Sequence, residues 1–381
     1  MVAKTMVGLE DVLAKELMVL GAKDVQAHNR AVSFVGDKGF MYKANYGLRT
    51  ALSILKPIAK FEVETEKDLY SKIQEIDWTQ ILTVKQTFMV NTSLNTEVFN
   101  HSLYVSQLVK DAIVDQFNEK FKIRPSIDLE NPDLVIDIHI SKTTCSVSLN
   151  SSGVSLYKRG YRKNQTEAIL NEVLAAGIVM LSGWDKRSPL IDFMCGSGTI
   201  LIEAALLANN IPPGYFRKSF SFMNWTDFDA ELFELIKESA IKRIKEEQQS
   251  MFGYDILNEA IVKAKENAES AMVDDIMKFT KADFRTIEPE VKRGVIILNP
   301  PYGERIQTEE DINVFYKEIG NTLKQKFKGF EAWIFTGNGD AAKSIGLQTS
   351  RKLRLFNGPI ECRLLKYEMY EGSRKLNKIK N

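Results

Sequence analysis

Two short stretches hold residues whose types and spacing could do chemistry. The first is Asp192-Phe-Met-Cys195-Gly196-Ser197-Gly198-Thr199, where an apolar run ends in an acid, two glycines and a helix-forming segment. Glycines let a ligand approach the backbone closely, and the first N–H groups of the following helix are free to meet an anionic moiety. A dinucleotide fingerprint would place a third glycine where this chain has Leu201, and the Gly-Lys-Ser/Thr of an ATP-binding loop is absent from the stretch. The second stretch, about 100 residues further on, is Asn299-Pro300-Pro301-Tyr302-Gly303, directly behind the apolar run Val295–Leu298. Two successive prolines cannot continue a sheet interior, so the strand must stop there with a stiff, extended exit. An amide side chain, a backbone carbonyl and an aromatic face then stand at a strand's carboxyl end, where open α/β sheets bind ligands. Those groups suit an exocyclic amine and the flat face of a base.

The elements that must position these residues follow a strand-then-helix rhythm from Pro189 onward. The pattern predicts strands at Leu190–Phe193, Met251–Tyr254, Lys278–Thr280, Val295–Leu298 and Ala332–Phe335, with helices over Gly198–Ala208, Ala230–Gln249, Glu259–Ala271 and Ile312–Lys326. Two hairpin-connected strands, Lys352–Phe356 and Cys362–Tyr370, close the chain. This is an α/β pattern: a mostly parallel sheet covered by helices, with an antiparallel edge. The amino-terminal part mixes types. Leu9, Val12, Leu13, Leu17 and Leu20 recur at helical spacing, with Gly21 as a stop, and Leu69–Trp78 and Ser102–Phe117 are also helical in pattern. Strand-like runs lie at Ala31–Val35, Phe61–Val63, Thr87–Asn91, Leu134–Ile140 and Cys145–Leu149, giving an α+β region. The polar stretch Asn150–Thr166 marks the main boundary, and an amphipathic helix is expected over Glu167–Leu181. The division is 1–60, 61–155, a basic junction and linker helix at 156–185, and 186–381 with an insertion at about 211–249.

Composition narrows the class. The 381 residues carry 51 Lys plus Arg against 50 Asp plus Glu, and 44% are hydrophobic. Such a chain is globular, not collagen-like, disordered or disulfide-stapled. With a net charge of +1, any nucleic-acid partner must be met by local patches. The three cysteines lie far apart with no C-x-x-C spacing, and the three histidines do not cluster with them, so no metal is expected. No apolar run reaches the roughly 18 residues a membrane helix needs. The acidic Glu10 and Asp11 stand where a signal peptide would be apolar. The reading is a cytoplasmic chain with no membrane partner.

Taken together, the two motifs resemble class I S-adenosylmethionine-dependent methyltransferases of the amino-methylating group, which carry D-x-x-x-G-x-G and [N/D/S]-P-P-Y. The resemblance implies a Rossmann-like sheet and S-adenosylmethionine as cofactor. It also implies a cofactor site made by Asp192, Cys195, Gly196, Ser197, Gly198, Thr199, Asp255, Asp283, Phe284 and Asn299. In it, Asp255 meets the ribose hydroxyls, Asp283 the adenine amino group, and Phe284 the ring. Met6-Val-Gly-Leu9-Glu10-Asp11 and Tyr42-Lys-Ala-Asn45-Tyr-Gly-Leu48-Arg49 resemble the start of THUMP-containing methyltransferases, and Leu149-Asn150-Ser-Ser-Gly153 followed by Lys158-Arg159-Gly160-Tyr161-Arg162 resembles their junction. The whole is similar to the bacterial 23S rRNA guanine-N2 methyltransferase family in its short form, whose members often carry the label of N6-adenine-specific DNA methylase. Residues 1–60 would then be ferredoxin-like and 61–155 a THUMP domain. Asn150 and Phe193 depart from the commoner L-D-x-S-G and D-P-x-C-G-S-G, at positions without a chemical role.

The resemblance also implies a mechanism. The Asn299 side-chain oxygen and the Pro300 carbonyl accept the two N–H bonds of an exocyclic amine, and Tyr302 stacks on the base. Cys195 is then a packed residue. The target base must be unpaired or flipped. For holding RNA, the run Lys158, Arg159, Tyr161, Arg162 and Lys163 has basic and stacking character. The stretch Arg351 to Lys380 adds nine Lys or Arg against three Glu. Phe216-Arg217-Lys218-Ser219-Phe220 and Trp225 either line a substrate entrance or pack the inserted helix. The expected substrate is 23S rRNA or a ribosomal assembly particle, with tRNA as the close alternative. An N6-adenine methylase and a non-catalytic ribosome-assembly module are the remaining readings.

Overall fold

The computed structural model describes residues 1–163, 170–246, 249–301 and 309–370. They form two compact units. The first comprises Met1–Thr5, Ala14–Lys158 and Arg217–Ser239, and the second comprises Met6–Leu13, Arg159–Phe216 and the chain from Ala240 onward.

In the first unit, β1 (Val2–Lys4) precedes α1 (Glu10–Leu20), whose later turns belong here, followed by β2 (Lys23–His28), β3 (Ala31–Val35), α2 (Lys38–Gly47) and β4 (Ser53–Glu62). Next come α3 (Glu66–Gln74), β5 (Thr87–Asn95), α4 (Ser102–Phe121), β6 (Ser126–Ile127), β7 (Leu134–Ser141) and β8 (Thr144–Asn150). The eight strands make one sheet in the order β2-β3-β1-β4-β8-β7-β5-β6. Local chemistry sets the helix starts. The Asp37 carboxylate accepts from Phe40 N–H at 2.7 Å, and Thr65 and Asp68 form a capping box on α3. Two motifs quoted above meet in the core. Asn45 Nδ2 donates to Ser151 Oγ at 2.8 Å, and Ser152 Oγ donates back to Asn45 Oδ1 at 2.6 Å, both serines being fully buried.

Arg217–Ser239 of the inserted segment belongs to this unit. Tyr42 stacks on Phe222 with ring centroids 4.5 Å apart, Phe220 and Trp225 are buried, and Arg217 donates to the carbonyls of Ser155, Lys158 and Val154. These residues pack the insertion and do not line a cleft. Its helix α7 (Ala230–Ile241) stops well short of the expected Gln249. Beyond it, Lys245 N–H donates to Asn209 O and Asn210 Nδ2 to Arg243 O, so the backbone groups a longer helix would use are taken by tertiary partners. The helix expected over Glu167–Leu181 is observed as α5 (Glu172–Ser182), with Asn171 Oδ1 accepting from Val173 N–H and Leu174 N–H. Residues 167–169 lie outside the described residues.

The second unit is the α/β sheet, joining α5 to β9 (Leu190–Asp192), α6 (Thr199–Ala208), β10 (Met251–Asp255), α8 (Asn258–Ser270), β11 (Met277–Lys281), β12 (Val295–Leu298), α9 (Glu309–Lys326), β13 (Glu331–Thr336), β14 (Arg351–Asn357) and β15 (Ile360–Glu368). The order is β11-β10-β9-β12-β13-β15-β14, parallel except where β15 runs antiparallel to β13 and β14. The chain leaves β9 toward β10 on one side and returns as β12 on the other. That reversal opens a crevice at the strands' carboxyl ends. Ile191, Ile296, Leu298, Ile319, Leu323 and Ile334 are buried in one cluster under it. Each contributes roughly 1.5–3 kcal/mol of transfer free energy. Helix α6 is buried almost all round, so its single acid, Glu203, fully enclosed, has to be matched from inside.

Candidate active site

A cleft of about 520 Å³ lies along the carboxyl ends of β9, β10, β11 and β12. It is lined by Asp192, Cys195, Gly196, Ser197, Thr199, Asp255, Asp283, Phe284 and Asn299, which the family resemblance had assigned to one site. Gly198 sits just beneath. Its φ of +81° is left-handed, and a Cβ there would come within 3.2 Å of Ala264 and Phe279, so helix, strand and loop close up only with glycine. Gly196, with φ +53°, differs: nothing lies within 4 Å of its Cβ position, which leaves the backbone open to a ligand.

Three acids shape the electrostatics. Asp192 is buried at the end of β9 and accepts from Met194 N–H at 3.0 Å. Burial, with Asp255 adding to it, pushes its carboxyl up to about 8. Asp255 accepts from Gly196 N–H at 3.0 Å and Leu257 N–H at 2.9 Å, joining the end of β10 to the glycine loop. Asp283 is gripped by Arg285, whose Nε lies 2.9 and 3.0 Å from its two oxygens and whose Nη2 lies 2.6 Å from one of them. Hydrogen bonding from that guanidinium holds the Asp283 carboxyl below the usual range. The Arg285 Nη1 also reaches Glu318 at 3.1 Å. The Cys195 thiol is pushed well up by burial and by Asp192 and Asp255, so it is no thiolate nucleophile.

Apolar walls complete the cleft. Phe284 stacks on Phe193 and meets Phe315 edge-on, with centroids 5.8 and 5.4 Å apart. Ile256 and Leu257, 56% and 63% exposed, present apolar side chains beside Asp255. Sequence reasoning missed Ile256, Leu257, Arg285 and Phe315. Two apolar residues between a strand and a helix start were a usable signal for the first pair; nothing local marked Phe315.

At the end of β12, Asn299 and Pro301 line the cleft, and Pro300 is buried. Among the described residues, Asn299 Oδ1 is buried without a hydrogen-bond partner. Such an atom costs about 1–3 kcal/mol unless a donor arrives. Tyr302 lies outside the described residues.

The basic run does not form the expected RNA-facing surface. Arg159 and Tyr161 are buried, at 1% and 2% exposure, against Glu203: Arg159 Nε stands 3.5 Å from its Oε1, and the Tyr161 hydroxyl donates to the same oxygen at 3.1 Å. The Arg162 side chain, 11% exposed, pairs with Glu172 at 2.6 Å. Only Lys158 and Lys163 are exposed. The physical reason is Glu203: a buried acid on an apolar helix draws in whatever cation and hydroxyl the adjoining chain supplies. Of the basic carboxyl-terminal stretch, the part beyond Tyr370 lies outside the described residues. Among the described residues no three His, Cys, Asp or Glu are grouped to hold a metal, and no helix is long and apolar enough to cross a membrane.

Comparison with known proteins agrees with this architecture. Residues 1–55 match the RlmL ferredoxin-like domain, 63–150 the THUMP domain, and 159–366 the RMKL-like methyltransferase domain. The chain is 41% identical over 95% of its length, and 95% of the relative's, to slr0064 of Synechocystis sp., described as an RNA methyltransferase. It is 37% identical over 96% of its length to ribosomal RNA large subunit methyltransferase K/L of Syntrophotalea carbinolica, of which it spans about half, 53%. The solved structure of SMU.472, described as a methyltransferase and complexed with S-adenosylhomocysteine, superposes with a TM-score of 0.87 at 30% identity over 98% of both chains. The acidic, apolar-walled cleft suits a cationic sulfonium cofactor with an adenine ring. The chain therefore belongs to the RMKL-like methyltransferases that carry RlmL ferredoxin-like and THUMP domains, and its cofactor is S-adenosylmethionine.

Proposed function

We propose that this chain methylates RNA, and that its product is N2-methylguanosine in 23S rRNA. The observation that carries the reading is Asn299 Oδ1, a buried acceptor on the cleft wall without a partner among the described residues. An exocyclic amine of a purine is a weak nucleophile because its lone pair is delocalised into the ring. Asn299 Oδ1 and the Pro300 carbonyl accept its two N–H bonds, turn the nitrogen out of conjugation and stabilise the positive charge that develops there. Tyr302 stacks on the base and holds it in line. Asp255 and Asp283 would hold the ribose and adenine ends of the cofactor, Phe284 would pack on its ring, and the loop Cys195–Thr199 would cradle the remainder, all of them residues of the cleft or its floor. S-adenosylmethionine supplies an electrophilic methyl on a sulfonium.

The RNA assignment is supported by the THUMP match and by what the two curated relatives are named for. Lys158 and Lys163 are the exposed cations of the junction offered to the phosphate backbone. The setting that follows is cytoplasmic, where rRNA is assembled. The test is transfer of labelled methyl from S-adenosylmethionine to purified 23S rRNA, tRNA and DNA, followed by digestion to nucleosides. Label in N2-methylguanosine from 23S rRNA is expected. Label confined to tRNA, or label in N6-methyladenosine, replaces the substrate assignment.

A further inference from the structure

The linker residue Arg162 has a geometry that neither RNA binding nor general packing accounts for. Its Nη2 donates to Thr199 Oγ1 at 2.8 Å and to Leu170 O at 3.0 Å, while its Nε lies 2.6 Å from Glu172 Oε1. Thr199 opens α6 and Leu170 leads into α5, and both line the cleft. One planar guanidinium thus ties the start of α5 to the hydroxyl at the end of the glycine loop. The same loop is held from its other side by Asn267, buried on α8, whose Nδ2 donates to Ser197 O at 3.1 Å. The forked, fixed donor set of arginine can serve several acceptors at once, which a lysine ammonium does only with loss of geometry.

We propose that Arg162 is a positioning residue for the cofactor: acting through Thr199, it fixes the Gly196–Thr199 loop in the conformation that receives S-adenosylmethionine. This rests on the reading of the cleft as the cofactor site. Arg162 holds its place because Glu172 balances its charge, just as Glu203 meets Arg159, so two arginines and two glutamates form a neutral internal lattice beside α6. Removing Arg162 alone leaves Glu172 buried and uncompensated, which threatens folding for reasons unrelated to the cofactor.

Two sets of variants in the full chain separate these effects. The first is Arg162→Met combined with Glu172→Gln, which removes the charged pair together. The second is the cycle of Arg162→Lys, Thr199→Val and their double variant, which leaves Glu172 opposite a cation throughout. S-adenosylhomocysteine binding is measured by titration calorimetry, RNA binding by filter retention, and KM for S-adenosylmethionine alongside kcat. The neutral pair is expected to lose at least tenfold in S-adenosylhomocysteine affinity, with RNA affinity within twofold of wild type and the kinetic loss falling on KM more than on kcat. Arg162→Lys loses less than the neutral pair, and in the cycle the double variant binds no worse than Thr199→Val, because both changes cut the same contact. Additive losses in the cycle overturn the proposal, as does a loss of RNA affinity with cofactor binding intact. If the wild-type chain itself does not bind S-adenosylhomocysteine, the reading of the cleft fails and takes the proposal with it. Wild-type binding with additive losses removes the proposal alone.

Discussion

The two walls of the cleft differ in how complete they are. On the wall made by β9, β10 and β11, Asp192, Asp255 and Asp283 each accept protein hydrogen bonds, and Asp255 and Asp283 each take more than one. On the wall made by β12, Asn299 Oδ1 is buried with no partner among the described residues. The first wall is organised before anything binds, which lowers the ordering cost of binding. The second keeps one acceptor for a donor that arrives with the acceptor base. An atom kept unsatisfied until the substrate enters favours the reacting complex over the free enzyme.

Substitutions should separate the walls, the largest effect coming from the incomplete one. Asn299→Ala is expected to lower kcat by about 10³-fold or more, the scale of losing a preorganised transition-state contact, while S-adenosylhomocysteine affinity stays within a few-fold. Equal losses of binding and turnover would erase the distinction between the walls. On the complete wall, Asp192 gives a pH signature. Between about pH 4 and pH 8 the folded chain keeps a proton on Asp192 that the unfolded chain has released, so stability falls as pH rises through that window. A cationic cofactor prefers the ionised form, so wild-type affinity for S-adenosylmethionine should rise relative to that of Asp192→Asn as pH climbs through 8. Asp192→Asn should flatten that profile and raise the melting temperature at pH 8.5 by about 2–4 °C. Calorimetric titrations and melts across pH check both signs.

The glycines sharpen the comparison at smaller cost. Gly198→Ala meets a left-handed backbone and close neighbours, and is expected to destabilise by about 1–3 kcal/mol in denaturant melts. Gly196→Ala meets open space, so it should cost the fold about 1 kcal/mol and fall mainly on cofactor affinity. The smallest effect belongs to neither wall. Lys158→Ala with Lys163→Ala should weaken RNA binding a few-fold and reduce the salt slope by about 2 at most, measured by filter retention over a salt series.

What could be read from the sequence was what short-range pattern encodes. The ends of β9 and β12 were legible because two glycines before a helix and two prolines after a strand permit few backbone paths. Asp192 was legible as part of the glycine motif, and Asp255 and Asp283 only through the family resemblance, which places acids behind the next two strands. Arg162 was not, because its role depends on Glu172 and Thr199, which only the folded chain brings to it. Glycine, tyrosine and four cations in a row looked like a surface, yet the fully enclosed Glu203 draws two of them inward. The insertion misled for a similar reason: its charge pattern favours a long helix, but Asn209 and Asn210 capture backbone groups beyond Ile241. The three-residue strand β1 is too short to carry a period of two, and only its pairing with β3 and β4 defines it.

Nucleoside mass spectrometry of 23S rRNA from a strain lacking this chain decides whether Asn299 serves N2-methylation of guanosine in that RNA. N2-methylguanosine is expected to be lost at one position, restored by the wild-type chain and not by Asn299→Ala. An unchanged 23S rRNA, with the mark missing from tRNA or N6-methyladenosine lost instead, would contradict it.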